Sequence, residues 1–285
     1  MSDLDPLRIE AELERLGASI GRPVVVASVT ASTNDDARRA ASGGAPHGSA
    51  FLADAQTQGR GRSGHRWHSP AGENLYLSVV LRPKLAPQAL PPLALVLGVC
   101  VARVVDEVLG SSATSSTRAG VKWPNDVLVD GKKLAGLLVE TTLRGGTIDA
   151  VIAGIGLNVH AASFPEELAP RATSLHALGG RGLDRSSIAA RLLAEIGHVA
   201  RMFEAHGLGP FLAELEDRDV LRGVPLDVSG VSGTAAGIDP EGYLRVIGSD
   251  GTKHRIGSGS VTTHGPLGSP GARIRRGPGA GEAAG

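Results

Sequence analysis

Val121-Lys122-Trp123-Pro124-Asn125-Asp126-Val127-Leu128-Val129-Asp130-Gly131-Lys132-Lys133-Leu134-Ala135-Gly136 decides the fold class, because its second half reads as a β-hairpin. Val127-Leu128-Val129 is a strand, Asp130-Gly131 is a two-residue turn, and Lys133 to Thr141 returns as the partner. A hairpin commits this stretch to antiparallel pairing. Alternation sends Lys132 and Lys133 to opposite faces, so one can be solvated while the other points into a cleft. Gly136 leaves room for a ligand against the sheet; a solvated lysine pair is the plainer alternative.

Outward from the hairpin, strands and helices intermix. Residues 4 to 16 form an amphipathic helix ended by Gly17, and Val24 to Val29 a buried strand. Thr33 or Asn34 caps a helix through Ala40. Ser49 to Asp54, Leu75 to Leu81 and Ile148 to Ile155 are strands. Pro92 to Leu109, Ser186 to His206 and Phe211 to Leu221 are helices. The fold class is α+β with a mainly antiparallel or mixed sheet. After Gly223, short β-like pieces at Pro225–Val228, Gly233–Ile238, Tyr243–Ile247 and His254–Ile256 predict a small all-β barrel. The expected units are residues 1–222, 223–265 and a Gly/Pro/Ala-rich disordered tail, 266–285.

The chain has 285 residues, 29 Lys+Arg against 29 Asp+Glu, and 41% apolar residues. A sizeable core is affordable, and a net charge of zero argues against coating nucleic acid or a membrane by bulk charge. The single cysteine, Cys100, excludes a disulfide framework and any cysteine-based zinc site. The N-terminus lacks the basic start and apolar centre of a signal peptide, and the longest apolar run, Leu90 to Ala102, is too short to span a bilayer. A cytoplasmic setting is the expectation. Three of the five lysines fall between 122 and 133 in a chain that otherwise prefers arginine.

Gln56-Thr57-Gln58-Gly59-Arg60-Gly61-Arg62-Ser63-Gly64-His65-Arg66-Trp67 combines close-approach glycines with fixed positive charge, which suits a phosphate or carboxylate. It is neither a P-loop nor a dinucleotide fingerprint, because no Gly-Lys-Ser/Thr and no helix follows. Trp67 can stack on a nucleobase or belong to the core. In Lys122 to Asp126, Asp126 could hold Mg²⁺ and Lys122 could touch phosphate, or Pro-Asn-Asp is merely a turn.

In chain order, Ser32-Thr33-Asn34, Gln56 with Gly59-Arg60-Gly61-Arg62, Trp67 to Leu75 (Trp-x-Ser-Pro-x-Gly-x-x-Leu), Lys122 to Asp126, Gly131 to Gly136, and Gly154-Ile155-Gly156-Leu157-Asn158 resemble the biotin protein ligases. The match runs from about residue 25 to 265. It implies a catalytic domain like that of class II aminoacyl-tRNA synthetases with a small SH3-like β-barrel behind it. It implies that the biotin carboxylate attacks the α-phosphorus of Mg-ATP, giving biotinyl-5′-AMP and pyrophosphate. A lysine amine of a biotin carboxyl carrier protein then attacks the mixed anhydride and releases AMP.

The resemblance assigns biotin binding to Ser32, Thr33, Asn34, Gln56, Gly59, Arg60, Gly61, Arg62, Lys133 and Gly136. It assigns ATP binding to Arg62, Trp67, Lys122, Asn125, Asp126, Gly156 and Asn158, Mg²⁺ to Asp126, and catalysis to Lys133 and Arg62. Family members that repress transcription carry a helix-turn-helix domain before the first strand, where about 24 residues stand here, so no specific DNA binding is expected. No membrane partner is expected, and a homodimer through sheet edges is a family habit. Ser63 and His65 stand where further basic residues are common, and Ser258-Gly259-Ser260-Val261 lacks an acid often found at its third place. The competing readings are a lipoate-type ligase, a biotinyl-AMP-binding regulator, and a biotin-binding module without catalysis.

Overall fold

The computed structural model describes residues 3–110, 118–268 and 270. Its first helix, α1 (Pro6–Arg15), starts where Asp5 accepts a hydrogen bond from Leu7 N at 2.9 Å, and ends before Gly17, whose φ of 62° suits glycine. The strands β1 (Val24–Thr30), β2 (Ala50–Gln56), β3 (Asn74–Leu81), β4 (Gly120–Lys122), β5 (Asp126–Val129), β6 (Lys132–Arg144) and β7 (Thr147–Asn158) form one sheet. Their order is β1-β2-β3-β7-β6-β5-β4. β1 and β2 pair in parallel and every other neighbour pairs antiparallel, so the sheet is mixed.

The two faces of this sheet differ. Leu75, Leu77, Val79 and Leu81 of β3 and Val151, Ala153, Ile155 and Leu157 of β7 point into the main core. That core includes α3 (Leu93–Gly110) and α4 (Arg185–His206). The α3 helix is buried nearly all round, Cys100 with it, because it lies between the sheet and α4. On the opposite face, α2 (Thr33–Ser42) covers only one end. It packs Ala37 and Ala41 against Val80, Ala150 and Ile152. The rest of that face is left for the site.

The expected cap of α2 is corrected here. Ser32 is the N-cap, without a side-chain cap bond, and Thr33 and Asn34 are the first helical residues. Thr33 N, one of the unpaired donors of the first turn, is satisfied by Gln56 Oε1 at 2.9 Å. Val121 to Asp126 is also more than a lead-in, since β4 and β5 form a hairpin of their own around Trp123-Pro124-Asn125.

After α5 (Leu212–Arg218), a second sheet holds β8 (Pro225–Val228), β9 (Val231–Ile238), β10 (Leu244–Ile247), β11 (Lys253–Ile256) and β12 (Val261–Thr263). It is antiparallel, in the order β11-β10-β9-β8-β12. The sequence reading missed β12, which is short and polar and, among the described strands, pairs with β8 alone. The second sheet is held to the first by Trp123, buried and donating from Nε1 to Gly242 O at 3.1 Å. Leu267 packs on the core and Gly268 N donates to Val220 O, so the chain is still held to the body at residue 268. Residue 269 and residues 271–285 of the expected tail lie outside the described residues. Among the described residues no helix is long and apolar enough to cross a membrane.

Asp219, where α5 gives way to the second sheet, is buried, and its Oδ2 has no hydrogen-bond partner among the described residues. Burial pushes its carboxyl up to about 6, against donation from Leu221 N and the charge of Arg222. A raised acid favours the neutral form in the folded state. The stability linked to it is present below about pH 4 and lost as pH rises towards 6. Asp219→Asn removes that loss, so the variant should melt progressively higher than the parent from pH 4 to pH 7. Thermal melts at both pH values check this; a margin that stays flat or shrinks contradicts it.

Candidate functional site

Register brings distant residues into one row across the sheet. Lys122 pairs with Asp126, Asp126 with Gly136, Gly136 with Gly156, and Gly156 with Tyr76. Directly paired residues share a face. Gly136 and Gly156 therefore form a bare strip of main chain, with a lysine and a carboxylate at one end and Tyr76 at the other. The Trp67 ring lies on this strip. A Cβ on Gly156 would stand 2.4 Å from Trp67 Cε2, and one on Gly136 2.9 Å from Cζ3. Only glycine permits that approach. Trp67 Nε1 is buried with no hydrogen-bond partner among the described residues.

Lys133 reaches the same place. Its backbone is clamped by Arg171 O and Thr173 N, at 2.7 and 3.0 Å. Its Nζ lies 2.6 Å from Asp126 Oδ1 and 5.4 Å from the centroid of the Trp67 ring. The Asp126 contact is an ion pair rather than a well-directed hydrogen bond. Lys132 is exposed, so alternation divides the pair as expected. Lys122 is half-buried; burial lowers its pKa, Lys133 lowers it further, and Asp126 opposes both.

The Gly/Arg loop folds over this strip as a small hairpin of its own, with Trp67 N donating to Gly59 O at 2.9 Å. Gly59 is demanded by packing, because a Cβ there would meet Ser69 Oγ at 2.5 Å. Gly61 N donates to His65 O at 2.7 Å, so within the loop its N–H is used on the loop itself. Arg62 spans to the β4–β5 hairpin, donating to Asn125 Oδ1 at 3.3 Å, while Asn125 Nδ2 donates to Leu137 O at 2.7 Å. Arg60 is turned away from Arg62 and pairs with Asp35 at 2.6 Å and Glu140 at 3.4 Å. A cleft of about 950 Å³ runs between residues 58–66, the Leu137–Thr141 stretch of β6, Pro87 to Ala94, and Gly257-Ser258 of the second sheet.

Beside the strip sits a polar pocket. Ser32, Thr33 and Asn34 are buried, and Gln56 reaches Thr33 N through Oε1 and Ser69 Oγ through Nε2. Gly154 makes room for Asn34, whose Oδ1 stands 2.1 Å from where a Cβ would be. Asn158 lies on the same face, but its Nδ2 is used on Thr173 O at 2.9 Å, which supports the clamp on Lys133. Sequence reasoning missed Ser78, Ser69, Glu140 and Arg38. Ser78 was legible as a lone polar residue inside the apolar run Leu75 to Leu81. Glu140 was legible by alternation from Gly136.

Gly156→Ala should lift Trp67 off the strip. The other tryptophan, Trp123, is buried with its Nε1 held by Gly242 O and serves as a constant background. The tryptophan emission of the variant should shift to the red; an unchanged spectrum contradicts the packing.

The biotin/lipoate A/B protein ligase family matches residues 26–158, and the biotin protein ligase C terminal domain matches residues 230–262. The chain is 40% identical over 258 residues to a biotin--[acetyl-CoA-carboxylase] ligase of Mycobacterium tuberculosis, covering 86% of this chain and 92% of that one. It is 34% identical over 240 residues to the bifunctional ligase/repressor BirA of Bacillus subtilis, covering 82% and 72%. Among solved structures it resembles the biotin protein ligase from Aquifex aeolicus in complex with biotin and ATP. That match has a TM-score of 0.71 and 29% identity, over 85% of this chain and 98% of that one.

Proposed function

The chain belongs to the biotin/lipoate A/B protein ligase family, and we propose that it activates biotin with Mg-ATP and transfers it to a lysine of a biotin carboxyl carrier protein. The observation that carries this reading is the convergence of Lys122, Lys133 and Asp126 on the Gly136–Gly156 strip, beside the polar pocket of Thr33, Asn34 and Gln56. The strip admits a flat or extended ligand against main chain, and the pocket supplies directed hydrogen bonds for a polar head.

In the first step a carboxylate oxygen of biotin bonds to the α-phosphorus of ATP, and the bond to the β-phosphate oxygen breaks. Two anions must touch, so the site has to supply cations that cost no reorganisation. Lys133 is assigned to the biotin carboxylate and the bridging phosphate, and it would leave Asp126 to do so. Lys122 and Arg62 are assigned to phosphate, and Trp67 to the adenine. In the second step the ε-amine of the acceptor lysine bonds to the acyl carbon and loses a proton, and AMP departs. Arg62 and its loop would shield the anhydride from water meanwhile. Among the described residues no group of three or more His, Cys, Asp or Glu is arranged to hold a metal. A single carboxylate, Asp126, suits Mg²⁺ carried in on a triphosphate, which brings its own oxygens. The ion would screen the phosphate charge.

The remaining assignments belong to the same reading. Residues 1–222 act as the catalytic unit and 223–265 as a barrel that braces Trp123 and closes the cleft at Ser258. The net charge of zero supports an enzyme without a DNA or membrane partner, and a cytoplasmic setting belongs to the same proposal. Past Leu137, β6 has no second strand neighbour among the described residues, which supports pairing between sheet edges in a homodimer.

Biotin-dependent exchange of labelled pyrophosphate into ATP tests the first step. Lys133→Ala should lower that exchange by about 100-fold or more, whereas lipoate in place of biotin should give none; near-parental exchange by the variant removes Lys133 from catalysis. Arg62→Gly should release free biotinyl-AMP and label bystander lysines on a protein that is not a carrier. Equal bystander labelling by parent and variant contradicts the shielding role.

A further inference from the structure

Between β7 and α4 the chain runs from Asn158 to Arg185 without a helix or strand of its own, yet it carries the clamp on Lys133. Its first part and its middle are laced together. Leu175 N donates to Asn158 O at 3.1 Å, His176 N to Val159 O at 2.9 Å, and Ser174 Oγ to Ala161 O at 2.6 Å. One carboxylate from outside the segment touches both of its ends. Asp3 Oδ2 accepts from Arg185 N at 3.0 Å and lies 3.1 Å from His160 Nε2, and Asp3 Oδ1 accepts from Arg185 Nε. Arg185 is buried, its guanidinium shared between Asp3, Asp54 Oδ1 at 2.7 Å and Asn74 O at 3.1 Å. Asn74 pairs with Asn158 across the sheet, and its Oδ1 accepts from Val159 N at 3.0 Å. Burial would raise the Asp3 carboxyl, but donation from Arg185 N, His160 and the Arg185 guanidinium holds it down to about 2, so it stays ionised.

We propose that Asp3 is a positioning residue for the ligase reaction: it staples the two ends of this segment and so holds Lys133 at the glycine strip. The inference rests on the ligase reading and adds to it a residue which that reading leaves unused. A buried guanidinium that loses one of its two carboxylates is left under-compensated, and the groups around it rearrange. The rearrangement reaches Lys133 through bonds already described, from His160 and Asn158 to Thr173 and from Thr173 N to Lys133 O. A small misplacement there slows a reaction that must align two anions. Among the described residues neither Asp3 nor His160 bonds to the pocket of Thr33, Asn34 and Gln56, so holding a polar head and reacting at speed are separable. The main chain of residues 3–5 is secured without the Asp3 carboxylate. Ser186 Oγ donates to Asp3 O at 2.6 Å and accepts from Asp5 N at 2.9 Å, and Leu4 is buried in the core.

Two measurements on the full chain test this: biotin-dependent pyrophosphate exchange at saturating biotin and ATP, and calorimetric titration with biotin in the absence of nucleotide. Asp3→Ala should slow the exchange about tenfold or more while biotin affinity and stoichiometry stay at the parental level. Asp3→Asn, which keeps an acceptor oxygen but not the charge, should fall between the two. Asp3→Ala also opens a carboxylate-sized space beside Arg185, so added formate should restore its exchange rate and leave the parent unchanged. If Asp3→Ala melts early, the same formate titration is read at a temperature where both chains are folded. Parental exchange in Asp3→Ala, a loss of biotin affinity in step with the loss of rate, or no selective rescue by formate overturns the inference. A parent chain without biotin-dependent exchange overturns the ligase reading itself, and the parent assay alone shows it.

Discussion

Everything at the site depends on the contact between the Trp67 ring and the main chain of Gly136 and Gly156. A side chain at either glycine would collide with the ring, so the two strands present bare backbone at the centre of an otherwise packed sheet. α2 covers the neighbouring part of that face with small residues and stops short of the strip. The opposite face carries the main core, α3 and α4. One sheet thus divides its labour: one face stabilises the fold, and part of the other is left open for chemistry.

Around the strip the charges are arranged in pairs that a polyanion can break. Lys133 rests on Asp126 and over Trp67, and Arg62 on a single amide oxygen of Asn125. These are modest contacts that an incoming phosphate or carboxylate outcompetes. Arg60, by contrast, is locked between two carboxylates. The two arginines of the loop therefore differ in kind: Arg60 anchors the loop to the pocket, and Arg62 is free to follow a ligand.

The sequence carried more of this than its weak local signals suggest. The Asp130-Gly131 hairpin, the mixed sheet and the small β unit after Gly223 follow from alternation and turn residues, which are local properties. The ordered motifs placed Thr33, Asn34, Gln56, Trp67, Asp126, Lys133 and Gly136 in one site, and the structure brings them together. What stayed hidden depends on register. That Lys122, Asp126, Gly136, Gly156 and Tyr76 form one row cannot be read from a single strand, because pairing partners are set by tertiary context. For the same reason Ser78 and Glu140, both legible as polar residues in apolar strands, could not be connected to Asn34. Trp123 sits inside a motif that points to nucleotide chemistry, yet its ring is core and its N–H is used to hold the second sheet.

The central claim is that cations around the glycine strip let a carboxylate and a nucleotide triphosphate react with each other. The most direct measurement is incubation of the purified chain with ATP labelled at the α-phosphate, Mg²⁺ and biotin, followed by separation of the products. The account predicts a labelled biotin–AMP anhydride that forms only when biotin is present and disappears when a carrier domain is added. No labelled anhydride, or one that forms equally well with lipoate, would contradict it.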